Sequence, residues 1–464
     1  MAGIGFRIEK ILEGDTYIDS IKAHFYSTII FSGPWLVSIV TLFLINLFSV
    51  QKLHSFEVAY LRSTIIYIYA FSLVVVGILY LSASRYLADK LYFKEPESFA
   101  PAFNSLALLV LLIQAAVGCF CMSLIEADLA VKFMTVLLYL TISLLWLLMI
   151  FLTSLRDYGA ISGAFIIGSL VAILSSWLLG NFFGIAGYFT GYFIGHFIIV
   201  VLLSLRIYLE FDSKRFFDWQ VFPFLLKNKV LVFTGIFYNL AIWIDKIVFW
   251  FSSKAIVIAS FLHTFPEYES ATFFAYLTII PALSIFLIQV ETNFYKKYRL
   301  FYTQVLEKGT YSAIKQAKQE MVVTLKKNLL VIVINQGMIT LLCIAFAPKI
   351  AAFFKLDFLA IPVFRLCILG AFLNSLLLIF IIIILYFDFK SLALTVTTIF
   401  LFTNGIFTYL TSFLELPFIG YGYLYSCLVS LAFAFYALDY KLKRLEYLTF
   451  AMQPVGTHRE EEII

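Results

Sequence analysis

Twelve stretches of the chain are apolar and nearly free of charge, each close to the ~20 residues that a helix needs to cross a bilayer. They cover residues 25–49, 63–83, 100–125, 132–153, 159–180, 183–205, 230–252, 271–290, 329–347, 361–387, 391–413 and 418–438. Polar clusters separate them, and the longest interruptions are 206–229 and 291–328. The pattern predicts an all-α polytopic membrane protein of twelve transmembrane helices in two six-helix lobes. The N-lobe spans 25–205 and the C-lobe 230–438, joined by a cytoplasmic linker at 206–229 and followed by a cytoplasmic tail at 439–464. With an even number of spans in each lobe, both start from the same side, as in parallel transporter repeats.

Composition agrees: 62% of residues are hydrophobic, 13% are charged and mean hydropathy is +0.98, far from the soluble balance of about 45–50% apolar and about 25% charged. Charge then fixes the orientation. Lys and Arg number 25 in segments on the side of the two termini and six in the opposite loops, so the positive-inside rule places both termini in the cytoplasm. MAGIGFRIEKILEGD lacks a cleavage site and an unbroken apolar core, so it is not read as a signal peptide. Ile4, Ile8, Ile11 and Leu12 instead share one helical face, which predicts an amphipathic helix within 1–24 lying on the inner membrane surface.

The basic connector 291–328 carries a second amphipathic pattern, with Ala313, Ala317, Met321 and Leu325 on one stripe. Its Lys315, Lys318, Lys326 and Lys327 suit a cytoplasmic partner or anionic membrane lipid; positive-inside bias alone is an equal alternative.

Catalytic constellations are scarce. The five cysteines (Cys119, Cys121, Cys343, Cys367, Cys427) all lie within spans at spacings that suggest neither a disulfide nor a zinc site. His196 is the one histidine deep in a span; it reads first as a hydrogen-bonded packing residue, with a proton relay or an acyltransferase base as alternatives. No Walker loop or D-x-D motif is present, which removes support from an ATP-driven pump and from a glycosyltransferase. No enzyme, cofactor, metal or nucleic-acid partner is expected.

The spans do contain amides and a few charges. Asn239, Gln289, Asn335 and Gln336, with Glu291 at the end of the eighth span, are the transport candidates among a wider set that includes Asn104, Gln114, Asn374 and Asn404. Each suits a hydroxyl-rich solute or serves equally as interhelical glue. Gly33 and Pro34 lie about nine residues into the first span, ~14 Å deep at the helical rise. The proline removes a hydrogen bond there and predicts a bend, either a hinge for alternating access or a static kink. Asp245 and Arg365 are the intramembrane charges hardest to read as packing. Asp245 and Lys246 diverge by about 100° on a helix, so Lys246 is expected to snorkel away; Asp245 and Arg365 read as a charge pair at the mouth of a cavity or, equally, as a structural pair or two separately solvated interface charges.

MAGIGF, SGPW, SRYLADKLY, LRDY, FYNLAIWIDKIVFWF and IPALSIFLIQVETNFY together resemble the Pel exopolysaccharide transporter family of the multidrug/oligosaccharidyl-lipid/polysaccharide exporter superfamily. The likeness touches the N-terminus and most of the first eight spans. It implies two lobes around a central cavity, a bacterial cytoplasmic (inner) membrane location and outward movement of an N-acetylgalactosamine-rich polysaccharide. It also implies two partners, a cytoplasmic glycosyltransferase and a membrane cyclic-di-GMP receptor. A lipid-linked oligosaccharide flippase, a multidrug antiporter and a membrane acyltransferase using His196 follow in that order as alternatives.

Overall fold

The computed structural model describes residues 17–155, 158–354 and 357–451; the amphipathic pattern at 4–12 lies outside them. The first half holds α1 (Tyr17–Val50), α2 (Ser55–Tyr92), α3 (Phe99–Ser123), α4 (Leu129–Leu155) and α5 (Tyr158–Glu210). A short α6 (Val221–Lys227) leads into the second half. That half holds α7 (Lys229–Trp250), α8 (Pro266–Leu277), α9 (Ile280–Ile288), α10 (Tyr295–Leu306), α11 (Tyr311–Ala345), α12 (Ala347–Phe353), α13 (Ile361–Tyr386), α14 (Lys390–Ser412), α15 (Tyr421–Lys443) and α16 (Leu445–Phe450). Ten helices among the described residues are long and apolar enough to cross a membrane, and Leu36–Val50 adds a shorter apolar run.

α5 is a helical hairpin. At Gly184 the backbone turns to φ 59°, ψ −138°, a left-handed conformation that glycine adopts without a Cβ clash, and the chain folds back on itself. The two arms touch through their backbones, with Ser175 Oγ donating to Gly191 O at 2.9 Å. A Cβ at Gly191 would overlap the backbone of Ser176. Small residues are what allow arms in an apolar medium to approach this closely.

The eighth apolar stretch is interrupted where one uniform helix was expected. Pro281 lies in the first turn of α9 and cannot donate back into the preceding turn, so α8 stops at Leu277. A π-helical turn, Gln289–Phe294, then joins α9 to α10. Two amides of α11 satisfy the carbonyls this irregularity exposes: Gln336 Nε2 donates to Thr278 O at 2.8 Å and Asn328 Nδ2 to Gln289 O at 2.7 Å. Gln336 is completely buried. Its replacement by Leu should cost about 1–3 kcal/mol by stranding the Thr278 carbonyl, measured as faster thermal loss of folded protein than for Asn335→Leu. Asn335 sits on the exposed face and bonds only its own helix, at Val331 O.

The segment 211–220 between the halves is strapped to the first half. Asn104 Nδ2 donates to Phe216 O at 2.9 Å, Asp218 N to Ser105 Oγ at 2.9 Å, and the Tyr86 hydroxyl bonds the Asp218 carboxylate. The loop between α7 and α8 is an antiparallel hairpin, β1 (Ile256–Ala259) and β2 (Leu262–Thr264). α10 and α11 form a second hairpin, tied by Lys297–Glu320 at 2.8 Å.

Candidate functional site

α7 delivers two adjacent charges into the interior of the second half. Asp245 is wholly buried and Lys246 is 7% exposed. Their side chains pair: Lys246 Nζ lies 3.1 Å from Asp245 Oδ1 and 2.9 Å from Oδ2, and it also donates to Ile242 O at 3.1 Å. The expected partner, Arg365, is exposed and stands outside this cluster. The Cβ directions of neighbouring residues do diverge, but the flexible four-carbon stem of a lysine can swing its ammonium back over the preceding turn. In the low-dielectric interior a carboxylate and an ammonium gain far more from each other than from separate neighbours.

The rest of the cluster is aromatic. Tyr268, from α8, donates its hydroxyl to Asp245 Oδ2 at 2.6 Å. The Lys246 ammonium stands 5.5–5.9 Å from the ring centroids of Trp243, Tyr268, Tyr276 and Tyr423, within cation–π range of each. Tyr276 and Tyr423 share a hydroxyl–hydroxyl bond of 3.0 Å, and Asn374 of α13 reaches the Tyr276 hydroxyl at 3.5 Å. Four helices, α7, α8, α13 and α15, therefore meet around one ion pair. Such a pair is costly to desolvate and costlier to break, so the four helices are coupled through it. An arrangement of this kind can register a change in helix position or exchange its internal partner for an external hydroxyl or charge. The sequence reading did not single out these tyrosines; Tyr268 and Tyr276 are eight residues apart, about two turns of helix, and that spacing is the local trace from which half of the cage could have been found.

The first half carries a neutral counterpart. Tyr69 of α2 and Tyr192 of the second arm of α5 bond hydroxyl to hydroxyl at 2.8 Å, just as Tyr276 and Tyr423 do. The second and sixth apolar stretches of each half supply the pair in both cases. His196 bonds the Tyr69 hydroxyl through Nε2 at 3.0 Å and the Tyr192 carbonyl through Nδ1 at 3.0 Å. The carbonyl can only accept, so Nδ1 carries the proton and Tyr69 donates to Nε2. Both ring nitrogens are thereby used, in a buried residue.

The other sequence candidates scatter. Asn239 donates to Gly235 O at 2.9 Å and abuts Gly77 of α2, where α2 and α7 cross closely. Gln289 lies in the π-helical turn, its Oε1 accepting from Asn293 at 3.2 Å. Glu291 shares that turn, and its side chain lies outside the described residues. Gln336 braces the helix break and Asn335 faces outward. Gly33 and Pro34 lie inside α1, which is helical through them; Ser38 Oγ donates to Pro34 O at 2.9 Å. Of the four connector lysines, Lys318 pairs with Glu446 at 3.2 Å and Lys326 approaches Asp439 at 3.9 Å, so both engage the C-terminal helices. Lys315 and Lys327 are exposed. No group of three or more His, Cys, Asp or Glu side chains among the described residues could hold a metal.

Residues 1–450 match the family model described as "PelG: Putative exopolysaccharide Exporter (EPS-E)". No match was found among curated proteins. Among solved structures, the chain is similar to a multidrug resistance MATE family transporter of the MOP superfamily in its outward-facing conformation. The TM-score is 0.62 at 14% identity, over 94% of this chain and 98% of that one. It is also similar to a MOP superfamily transporter from Pyrococcus furiosus described as having a binding pocket of reverse polarity. That match has a TM-score of 0.56 at 14% identity, over 90% and 96% of the two chains. A MATE structure in the bent conformation gives 0.58 at 14% identity, over 95% and 98%. The fold is that of a MATE-like transporter.

Proposed function

The chain belongs to the PelG family of exopolysaccharide exporters, and from that premise we propose that it carries a Pel-like, N-acetylgalactosamine-rich polysaccharide out across the bacterial cytoplasmic membrane. In this reading it crosses the bilayer twelve times, with both termini in the cytoplasm: the two arms of α5 count separately, α8, α9 and the following turn form one interrupted crossing, and α1 is the first. The polymer passes between the two halves by alternating access. The observation that carries the reading is the family match over nearly the whole chain, joined to a transporter fold.

Within that path, the ion pair of Asp245 and Lys246 acts as the charge-bearing switch of the second half, and the hydroxyl-bonded pair of half-buried Tyr69 and buried Tyr192 is its neutral partner in the first. A sugar polymer offers hydroxyls and amides, which match the tyrosine hydroxyls and the Asn374 amide in hydrogen-bond type, while the rings suit the apolar faces of pyranose units. Pro34 serves as the hinge of α1. The exposed Lys315 and Lys327 on the α10–α11 hairpin are available to meet a cytoplasmic glycosyltransferase, with the cyclic-di-GMP receptor as a further neighbour in the membrane. His196, with both nitrogens engaged, is a packing residue rather than an acyltransferase base.

The likeness to multidrug MATE structures favours one second reading, a cation antiporter. Thermal unfolding of the purified protein separates the two, because a ligand that binds only the folded state raises the midpoint. N-acetylgalactosamine oligosaccharides should raise it, and organic cations should leave it unchanged. Stabilisation by the cations alone would transfer the chain to the antiporters.

A further inference from the structure

The two halves meet along α2 and α7 and, separately, along α1 and α9, and the two ends of the α2–α7 seam are built differently. Toward the Lys- and Arg-rich side the contact is backbone on backbone: Gly235 of α7 lies against the carbonyl of Gly77 of α2, so closely that a Cβ at Gly235 would overlap it. At the far end the contact is polar and made by the β1–β2 hairpin. Tyr67 of α2 donates its hydroxyl to His263 O at 3.0 Å and accepts from His263 N at 3.1 Å. One side chain thus replaces a strand in satisfying the hairpin's free backbone edge. The Tyr67 ring stacks on Trp250 at the end of α7, with centroids 4.1 Å apart. Trp250 in turn donates its indole N–H to Glu269 Oε1 at 2.7 Å, and Glu269 also accepts from Thr264 Oγ1 and from Phe265 N at 2.8 Å. Leu262 is 1% exposed and packs in the same apolar cluster as Tyr188 and Phe189 of the first half.

We infer that the β1–β2 hairpin is a latch of the second half that closes the far end of the transport path by gripping Tyr67 of the first. The glycine contact is the pivot: backbones in van der Waals contact can roll against each other without breaking a hydrogen bond. The hairpin is the releasable end, because everything polar that joins it to α2 passes through one phenol. Glu269 sets the grip by holding Trp250, Thr264 and the start of α8 in one piece, so that the hairpin moves with its own half. This inference rests on the alternating-access reading above, but its principal test does not depend on what is carried.

Spin labels on Ser260, exposed at the hairpin tip, and Asp128, exposed between α3 and α4, report the latch across the two halves. The full-length protein, with its five native cysteines replaced by Ala, is measured in lipid nanodiscs. The unmodified latch should give mainly one short distance. Tyr67→Phe keeps the ring stack and removes both hydrogen bonds; it should shift the closed-to-open ratio by about tenfold or more and add a longer distance population. Glu269→Gln, which touches neither Tyr67 nor the pivot, should shift it in the same direction. Distances unchanged in both variants would overturn the latch. Joining cysteines at the same two positions with a short reducible crosslinker should cut polymer secretion at least about tenfold, with recovery on reduction; secretion that continues through the bridged protein would overturn its role as a gate. If the label distances respond while polymer secretion does not depend on the chain at all, the latch stands and the polysaccharide reading falls.

Discussion

Asp245→Ala should abolish polymer secretion and lower the amount of folded protein in the membrane, because it leaves the Lys246 ammonium 7% exposed among aromatic rings with no counter-charge. Breaking a buried ion pair from one side costs about 3–5 kcal/mol. Four rings soften that loss but do not replace a carboxylate at 2.9 Å. Lys246→Met strands the opposite charge, with only the Tyr268 hydroxyl left to solvate it, and should be similarly damaging. The double variant Asp245→Asn/Lys246→Met removes both charges and conserves volume. It should regain most of the folded protein, since replacing a whole buried pair is often close to neutral. Additive losses in Asp245→Asn, in Lys246→Met and in the variant carrying both would dissolve the pairing. Secretion then separates switch from scaffold: a double variant that folds at normal abundance yet secretes little identifies the charge as functional. Arg365→Ala should leave both abundance and secretion near normal.

Gly235→Val should be the most damaging glycine substitution in the seam between the halves. Its side chain would enter the space occupied by the Gly77 carbonyl, and a backbone oxygen cannot rotate aside as a side chain would. Overpacking of an interior typically costs about 1–3 kcal/mol; here it also displaces one half against the other, so secretion should fall by more than tenfold. Gly337→Ala is the matched control, because its nearest neighbour would be a Phe372 ring atom 4.0 Å away. Equal secretion from the Val variant and the control, at matched abundance, would remove the seam from the transport cycle.

The framework of spans was legible because a bilayer imposes one strong rule, that every crossing be long, apolar and internally hydrogen-bonded. Even the turn inside α5 left its mark in GNFFGIAG, where Gly184 supplies the left-handed residue. What the sequence withheld depends on adjacency. Asp245 could be recognised as needing a partner, yet helical-wheel geometry pointed away from the residue beside it, because the wheel describes Cβ directions and not the reach of a lysine. Gln336 was read with the other amides as a solute ligand or as glue, and it proves, together with Asn328, which that reading did not single out, to brace a helix break that Pro281 creates; seeing this required linking a proline in one helix to amides ~50 residues away in another. The hairpin at 256–264 lay inside what reads as an ordinary connecting loop. Its contact with Tyr67 spans 196 positions, a separation at which no local pattern carries information.

If an exopolysaccharide leaves the cell through this chain, the distribution of polymer between cytoplasm and medium depends on it. In a strain lacking the chain but retaining its polymer synthase, N-acetylgalactosamine polymer should be absent from the medium. It should return with the unaltered chain and fail to return with Asp245→Ala. Undiminished polymer in the medium of the strain that lacks the chain would contradict the account.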